Sequence, residues 1–152
     1  MIDEPAGRRS DSQIMSLSTE ERNRRMLRAR DRMDRSYAQV LDIPALAKVA
    51  GCSHAHFIRT FRAVFGETPH RYLQRRRVER AMHLLRSGRS VTDVCFDVGF
   101  NSLGTFSRTF NAIVGVSPSV YRRRAPTAAV PTCFAMAWAR PSSFGEARKR
   151  RA

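Results

Sequence analysis

The sequence predicts an all-α fold with seven helices, arranged as two similar halves that share one long helix. Residues 18–124 lack the alternation of apolar and polar residues that marks a half-buried strand. Apolar residues recur there at helical spacing, between Ser, Thr or Asp residues suited to begin helices and Gly residues suited to end them. A 16-residue stretch, FIRTFRAVFGETPHRY at 57–72, also recurs 49 positions later as FSRTFNAIVGVSPSVY at 106–121. Such self-similarity indicates two copies of one structural unit.

Ten identities define the repeat. They are Val49/Val98, Ser53/Ser102, Phe57/Phe106, Arg59/Arg108, Thr60/Thr109, Phe61/Phe110, Ala63/Ala112, Gly66/Gly115, Pro69/Pro118 and Tyr72/Tyr121. The shared Phe residues have the spacing of a buried helix face. The shared Gly-x-x-Pro frame is suited to end one helix and begin the next, since Pro is favoured at the first helical position.

The first half is predicted to contain three helices. Ser18 is the expected N-cap of the first, which carries Glu20 and Glu21 in its first turn and extends to about residue 39. Residues 42–65 then form a helix-turn-helix: Asp42 caps a short helix that ends at Gly51, and Ser53 caps a second that extends to about Phe65.

The long shared helix is predicted at 69–87, opened by Thr68-Pro69. Its roughly 19 residues would make a rod of about 28 Å. A second helix-turn-helix follows at about 90–114, where Ser90 and Asp93 resemble a capping box and Ser102 caps the second helix. A last short helix is expected from Ser117-Pro118 to Arg122–Arg124. The two halves are therefore homeodomain-like three-helix units within a domain spanning 18–124.

The two ends of the chain have a different character. Residues 1–17 are polar without a period, which predicts a disordered N-terminal tail. Residues 125–152 form a basic tail with three prolines, expected to be mostly disordered. Within it, TCFAMAWA at 132–139 is the alternative: a short apolar docking segment or strand.

The charge of the chain predicts a polyanionic partner. The sequence holds 28 Lys+Arg against 13 Asp+Glu, a formal net charge of +15. Residues 42–124 alone hold 14 bases and 5 acids, a net +9, so the charge belongs to the folded segment. All bases except Lys48 and Lys149 are arginine, whose guanidinium group suits phosphates and guanine edges. No segment has the apolar length of a membrane-spanning helix, which argues against a membrane role.

The remaining chemistry is sparse. Cys52, Cys95 and Cys133 share no metal-ligand spacing, and no apolar leader precedes them, so we expect a reduced, cytoplasmic protein associated with the nucleoid. No catalytic triad, carboxylate pair or phosphate-binding Gly loop is present in the sequence. We therefore predict no enzyme activity, no cofactor and no metal site.

Residues 22–124 resemble the DNA-binding domain of the AraC/XylS family of bacterial transcription regulators. The stretches that carry the likeness are IPALAKVAGCSHAHFIRTFRAVFGETPHRYL, RRRVERAMHLLRSG and SVTDVCFDVGFNSLGTFSRTFNAIVGVSPSVYR. The third follows the family signature at nearly every marked position. The resemblance implies two helix-turn-helix units that present their recognition helices to successive major-groove faces of one DNA site. One turn of DNA is about 34 Å, which a rigid linker helix can match.

By position in the motif, seven residues are expected to face bases. They are Ala55, Ile58 and Arg59 in the first recognition helix and Leu103, Gly104, Ser107 and Arg108 in the second. Several of these positions hold Trp or Gln in other family members. Ala55, Ile58 and Leu103 can only touch thymine methyl groups, so Arg59 and Arg108 are the expected readers of guanine. The alternative for Arg108 is a phosphate contact.

A further set is expected to bind phosphate, because helix N-termini and exposed guanidinium groups attract anions. It comprises Ser53, His54, Arg62, Arg75, Arg76, Ser102 and Asn111. Arg122–Arg124 could act in the same way or simply be solvated. His56 is expected to be structural.

The function expected from these residues is that of a sequence-specific transcription regulator, an activator that binds double-stranded DNA as a monomer at an asymmetric site. The resemblance implies RNA polymerase as a further partner and a short form without a sensor domain. One alternative is a redox- or ligand-gated regulator on the same fold, for which Cys133 is the only thiol in a segment expected to be exposed, whereas Cys95 is expected to be inert core packing. The other is an architectural protein that binds DNA without sequence preference.

Overall fold

The structure is a computed structural model that describes the backbone of residues 11–124 and the side chains of residues 18–124. Its seven helices are α1 (Asp11–Arg35), α2 (Ile43–Ala50), α3 (His54–Phe65), α4 (Pro69–Arg86), α5 (Val91–Asp97), α6 (Leu103–Val114) and α7 (Pro118–Arg124). The described residues contain no strand. The predicted all-α fold is confirmed.

The predicted capping residues begin five of these helices. The side chain of Asp42 accepts a hydrogen bond from the Ala45 N–H at 2.9 Å. Four more caps work in the same way: Ser53 for α3, Thr68 for α4, Ser90 for α5 and Ser102 for α6. Each such cap stabilises its helix by about 1 kcal/mol, so the chain itself specifies where these helices begin.

Helix α1 differs from its prediction at both ends. It begins at Asp11, seven residues before the expected N-cap Ser18, and ends at Arg35 rather than near residue 39. Residues 11–17 contain no Gly or Pro, and a Ser inside a helix costs only a fraction of a kcal/mol, so nothing local stops the helix at Ser18. Residues 1–10 and the predicted tail at 125–152, with its apolar segment 132–139, lie outside the described residues.

Two separate hydrophobic cores share α4. The first core takes Tyr72 and Leu73 from the start of α4, packed against α1, α2 and α3. The second takes Val78, Ala81 and Leu85 from the rest of α4, packed against α5 and α6. In the first core the ring of Phe61 contacts those of Phe57, Phe65 and Tyr72, and in the second the ring of Phe110 contacts those of Phe106 and Tyr121. The long helix therefore belongs to both halves, as predicted.

Burial reveals how the halves correspond outside the aromatic repeat. Among residues 18–35 of α1 the buried ones are Met26, Ala29 and Met33, and those of the second part of α4 are Val78, Ala81 and Leu85, each 52 positions later. The buried residues of α2 are Leu46, Ala47 and Ala50, and those matching them 48 positions later are Val94 and Cys95 of α5 and Val98, its C-cap. The second half of α4 therefore serves the second unit as α1 serves the first.

This correspondence corrects one pair of the sequence repeat. Val98 is the structural equivalent of Ala50, not of Val49, because Val49 is only half-buried whereas Ala50 and Val98 are buried. The two turn glycines then coincide: Gly51 and Gly99 both have positive φ, at 65° and 92°. The 49-residue offset holds only from Ser53 onward, since the second turn contains one extra residue.

A polar cluster fastens α1 to α4. Asp34 of α1 accepts hydrogen bonds from the Tyr72 hydroxyl at 2.7 Å and from Arg76 Nε at 2.9 Å. Burial and the neighbouring Asp34 carboxylate together raise the pKa of Tyr72. The equivalent of Asp34 in α4 is Arg86, and its guanidinium carbon lies 5.7 Å from the ring centre of Tyr121. An arginine side chain has no hydrogen-bond acceptor, so it cannot pair with the Tyr121 hydroxyl as Asp34 pairs with that of Tyr72. The buried Tyr121 hydroxyl has no hydrogen-bond partner among the described residues.

The two repeat tyrosines should therefore respond differently to loss of the hydroxyl. We expect Tyr72→Phe to lower the free energy of unfolding by about 1–3 kcal/mol, because a hydrogen bond to a carboxylate is lost. The Tyr121→Phe control should be neutral or slightly stabilising, since it removes a buried hydroxyl without a partner. Urea unfolding followed by circular dichroism measures both. Equal effects of the two substitutions would contradict this assignment.

Candidate nucleic-acid interface

Helix α3 buries one face and exposes another. Phe57 and Phe61 are fully buried in the first core. The predicted base-facing residues Ala55, Ile58 and Arg59 are all exposed. With Arg62, also exposed, they follow the i, i+3, i+4, i+7 spacing of a single helix face. The structure thus brings the first predicted reading set together on one solvent-facing surface.

Helix α6 repeats this arrangement in the second unit. Phe106 and Phe110 are fully buried, whereas Leu103, Gly104 and Arg108 are exposed. Ser107 is half-buried, and the phosphate candidate Asn111 is exposed at the end of the same face. We name the exposed faces of α3 and α6 reading face 1 (Ala55, Ile58, Arg59, Arg62) and reading face 2 (Leu103, Gly104, Ser107, Arg108, Asn111).

The arginines of the reading faces are free to bind an external anion. Within residues 18–124, Arg59, Arg62 and Arg108 form neither an ion pair nor a side-chain hydrogen bond. Each is exposed and sits on a helix whose opposite side is anchored by buried Phe residues. An unpaired guanidinium group on a fixed helix can bind a guanine edge or a phosphate with two hydrogen bonds.

Apolar side chains are exposed beside these arginines. Ile58 and Leu103 each expose 39% of their surface, although both belong to helices with a well-formed buried face. Gly104 is not required by the packing of the chain, because an added Cβ would meet only Ser102 Oγ, at 3.7 Å. Apolar groups of this size can contact thymine methyl groups, and a Gly permits close approach of a ligand.

The predicted phosphate contacts at the helix N-termini are accessible. Ser53 and Ser102 are exposed, and their hydroxyl oxygens accept hydrogen bonds from His56 N–H and Thr105 N–H, both at 3.3 Å. His54 is exposed in the first turn of α3, and so is His56. The first N–H groups of α3 and α6 face away from their own helices, which is the usual setting for anion binding.

Arg75 and Arg76 do not have the exposed guanidinium groups on which their predicted phosphate contacts depended. Arg75 donates to Glu67 at 3.1 and 2.8 Å and to Glu79 at 2.5 Å, with only 16% of its side chain exposed. Arg76 binds Asp34 at 2.9 Å and Glu79 at 2.6 Å. Burial lowers the pKa of both arginines, but these carboxylates outweigh it and leave both values raised. Both guanidinium groups are thus already paired with carboxylates of the fold, and their contact with phosphate stays a prediction.

The Glu79 partner of these arginines was predictable from the sequence, whereas the Asp34 partner was not. Arg75 and Glu79 are four residues apart on α4, a spacing that favours an ion pair on a helix. Asp34 lies 42 residues before Arg76, and no local pattern connects them. No local pattern in the sequence indicates that Arg77 is half-buried between the two units, where it donates hydrogen bonds to two backbone carbonyl groups.

The two cysteines in the described residues are poor candidates for redox sensing. Cys95 is fully buried in the second core and Cys52 is half-buried. Burial raises the pKa of both thiols, which disfavours the reactive thiolate. Cys133 lies outside the described residues. None of the described helices is long and apolar enough to cross a bilayer.

Comparison with known proteins identifies this architecture. Residues 46–124, about half of the chain, match the model of a helix-turn-helix domain. The chain belongs to the AraC family of helix-turn-helix regulators. The resemblance in the sequence is thereby confirmed.

Three curated relatives differ in how much of their own length this chain covers. The regulatory protein SoxS of Escherichia coli is 37% identical over 93 residues, which cover 60% of this chain and 87% of SoxS. The transcriptional activator AarP of Providencia stuartii is 34% identical over 83 residues, which cover 54% of this chain and 62% of AarP. The MmsAB operon regulatory protein of Pseudomonas aeruginosa is 36% identical over 85 residues, but these are only 28% of that longer protein.

Solved AraC-type structures share the fold. The DNA-binding domain of AdpA, solved in complex with a target DNA, is 29% identical with a TM-score of 0.61, over 64% of this chain and 89% of that one. The C-terminal domain of AraT from Geobacillus stearothermophilus is 26% identical with a TM-score of 0.63, over 70% of this chain and 91% of that one.

Proposed function

We propose that this AraC-family chain is a sequence-specific DNA-binding transcription regulator that acts as an activator. The observation that carries the proposal is the pair of reading faces. Helices α3 and α6 each have an exposed face that carries an unpaired arginine at the same repeat position, Arg59 and Arg108. Their buried faces belong to the two cores that share the two halves of α4. With 18 residues, α4 is about 27 Å long, comparable to the roughly 34 Å between successive major-groove faces of one site.

In this proposal the two kinds of contact have different tasks. Arg59 and Arg108 each fork onto a guanine, and Ile58 and Leu103 touch thymine methyl groups in the same grooves. Ser53, His54, Arg62, Ser102 and Asn111 hold phosphates and so fix the register of the protein on the duplex. Because the two reading faces carry different residues, the preferred site is asymmetric and one monomer suffices to bind it.

The relatives support the regulatory part of the proposal. SoxS is named a regulatory protein and AarP a transcriptional activator, and the AdpA domain was solved on its target DNA. We infer that this chain likewise activates transcription through contact with RNA polymerase, in the cytoplasm at the nucleoid. An architectural role without sequence preference is the competing function, and the exposed basic faces alone would suit it equally.

Substitution of single arginines tests the proposal. Arg59→Ala and Arg108→Ala should each weaken binding to the preferred site by about 1–3 kcal/mol and relax the preference at one position of one half-site. The matched control is Arg62→Ala, on the same helix as Arg59. A lost phosphate contact should weaken binding to all sequences alike and reduce the salt slope by about 1. Footprinting and competition with unrelated DNA measure both effects.

The outcomes separate the two functions. Unchanged sequence preference in both arginine variants would refute the assignment of Arg59 and Arg108 as base readers. If the wild-type chain binds its best site no better than unrelated DNA at the same salt concentration, the architectural function is correct.

A further inference from the structure

The connection between α1 and α2 is longer than its equivalent in the second unit. Since α4 plays the part of α1 there, the equivalent connection joins α4 to α5. The first connection, Ser36–Asp42, has seven residues, and the second, Ser87–Ser90, has four. We call Ser36–Asp42 the interdomain loop, because its additional length leaves the first unit and reaches the second.

The interdomain loop is bound to the middle of α4. Arg77 Nε donates to the carbonyl oxygen of Tyr37 at 2.7 Å, and Arg77 Nη2 donates to that of Gln39 at 2.6 Å. The guanidinium carbon of Arg80 lies 5.4 Å from the centre of the Tyr37 ring. Two charged hydrogen bonds to backbone carbonyl groups hold the path of the loop itself, and not only one of its side chains.

The same loop touches the turn of the second helix-turn-helix. A Cβ added to Gly99 would lie 2.4 Å from the carbonyl oxygen of Ala38 and 2.8 Å from its Cα, so the two backbones are in direct contact. The guanidinium carbon of Arg77 lies 5.7 Å from the centre of the Phe100 ring, in the residue that follows Gly99. Tyr37 packs against both hydrophobic cores.

The first unit offers no comparable contact at its own turn. Gly51 is the structural equivalent of Gly99, and a Cβ added there would meet only the side chain of Arg25, at 3.5 Å or more. The close approach of backbone to backbone is therefore not a general requirement of this turn. It is specific to the place where the two units meet.

We propose that the interdomain loop, held by Arg77, fixes the orientation of reading face 2 relative to reading face 1 and thereby selects the spacing of the two DNA half-sites. Without it, the units are joined chiefly through α4, and Arg77 lies where the α4 residues of the first core give way to those of the second. One base pair more between the half-sites rotates the second by about 34–36° around the DNA axis. We call the contact of Arg77 and the interdomain loop with the second unit the clamp. Two units held in one orientation by the clamp cannot follow that rotation, whereas two units joined by α4 alone can twist or bend toward it.

This inference rests on the proposed function, and its test is a spacing series. The preferred site is prepared with its half-sites at the natural separation and with one base pair inserted or removed between them. We expect the wild-type chain to lose at least about tenfold in affinity for either altered site, and Arg77→Gln to lose less than about threefold. Arg77→Gln should also bind the natural site more weakly than wild type, because orienting the units then costs entropy.

Arg71→Gln is the matched control. Arg71 is an exposed arginine of α4 with no side-chain bond to the described residues, so its loss removes the same charge from the same helix. Its spacing profile should equal that of the wild type. An Arg77→Gln profile as steep as the wild-type profile would overturn the inference, and so would a wild-type chain that tolerates all spacings.

A measurement without DNA separates failure of this inference from failure of the proposed function. Nitroxide labels at Ala63 of α3 and Ala112 of α6, both exposed, report the distance between the units in a chain whose cysteines are replaced by alanine. Pulsed electron paramagnetic resonance should give one narrow distribution of the distance between the two labels for wild type and for Arg71→Gln, and a broad distribution for Arg77→Gln. Equal widths would refute the clamp even if the chain binds DNA as proposed. A broadened distribution in a chain without DNA specificity would retain the clamp and reject the DNA function.

Discussion

Phe110→Ala is expected to remove about 3–5 kcal/mol from the free energy of unfolding, the usual cost of truncating a buried Phe. Phe110 is fully buried, with its ring centre 5.7 Å from that of Phe106 and 5.5 Å from that of Tyr121. The cavity would open between α4, α6 and α7, beneath reading face 2. Since small domains have total stabilities of about 5–15 kcal/mol, the second unit should be largely or wholly lost.

Hydrogen exchange and DNA binding would show where the damage lies. Amides of α5 and α6 should exchange much faster in Phe110→Ala, whereas those of α2 and α3 should keep more of their protection, because the first core does not include Phe110. Binding to a complete site should fall to that of a single half-site.

Phe96→Ala is the matched control for this substitution. Phe96 lies on α5 in the same unit but is 54% exposed, so its truncation should change stability by no more than about 0.5 kcal/mol. If Phe96→Ala and Phe110→Ala destabilise the chain equally, the second core is not centred where the structure has it.

Gly99→Ala is the second substitution with a large expected effect. Gly99 has φ of 92°, which costs an L side chain about 1–2 kcal/mol. The new Cβ would also lie 2.4 Å from the Ala38 carbonyl oxygen, so backbone must move. Overpacking of this kind costs a further 1–3 kcal/mol or so. We expect a total loss of about 2–5 kcal/mol in urea unfolding.

Gly115→Ala separates strain from collision. Gly115 has φ of 86°, close to that of Gly99, but an added Cβ would meet nothing within 4 Å. It should therefore cost only the conformational part, about 1–2 kcal/mol. If the two variants lose the same free energy of unfolding, the interdomain loop moves away from the new Cβ at Ala38 without cost, which would contradict the proposed clamp.

Local signals in the sequence predicted the parts of the fold that local physics determines. The caps at Asp42, Ser53, Thr68, Ser90 and Ser102 are each a side chain bonded to a backbone N–H of the next turn. The repeat of Phe at helical spacing predicted the buried faces of α3 and α6, and hence by elimination the exposed reading faces. These relations act over three or four residues, which is why they can be read from the chain alone.

Contacts between distant segments were not predictable in the same way. The bond from Arg76 to Asp34 spans 42 residues and that from Arg77 to the Tyr37 carbonyl spans 40. Nothing in the sequence indicates these two long-range bonds. Charge predicted an anion-binding chain, but only the folded structure shows which arginines are already occupied. The change of the repeat offset, from 48 residues in α2 and α5 to 49 from Ser53 onward, was not predicted for a similar reason. The pattern of buried residues reveals it, whereas matching identical residues does not.

Selection from a random DNA library with the purified wild-type chain tests the central claim most directly. We predict one enriched, asymmetric site with two conserved half-sites about 10 base pairs apart, each containing a guanine contacted by Arg59 or Arg108. Repeating the selection with Arg59→Ala and with Arg108→Ala should erase the guanine preference in one half-site each, and in different half-sites. A library that emerges unenriched, or a single half-site altered by both substitutions, would contradict the account.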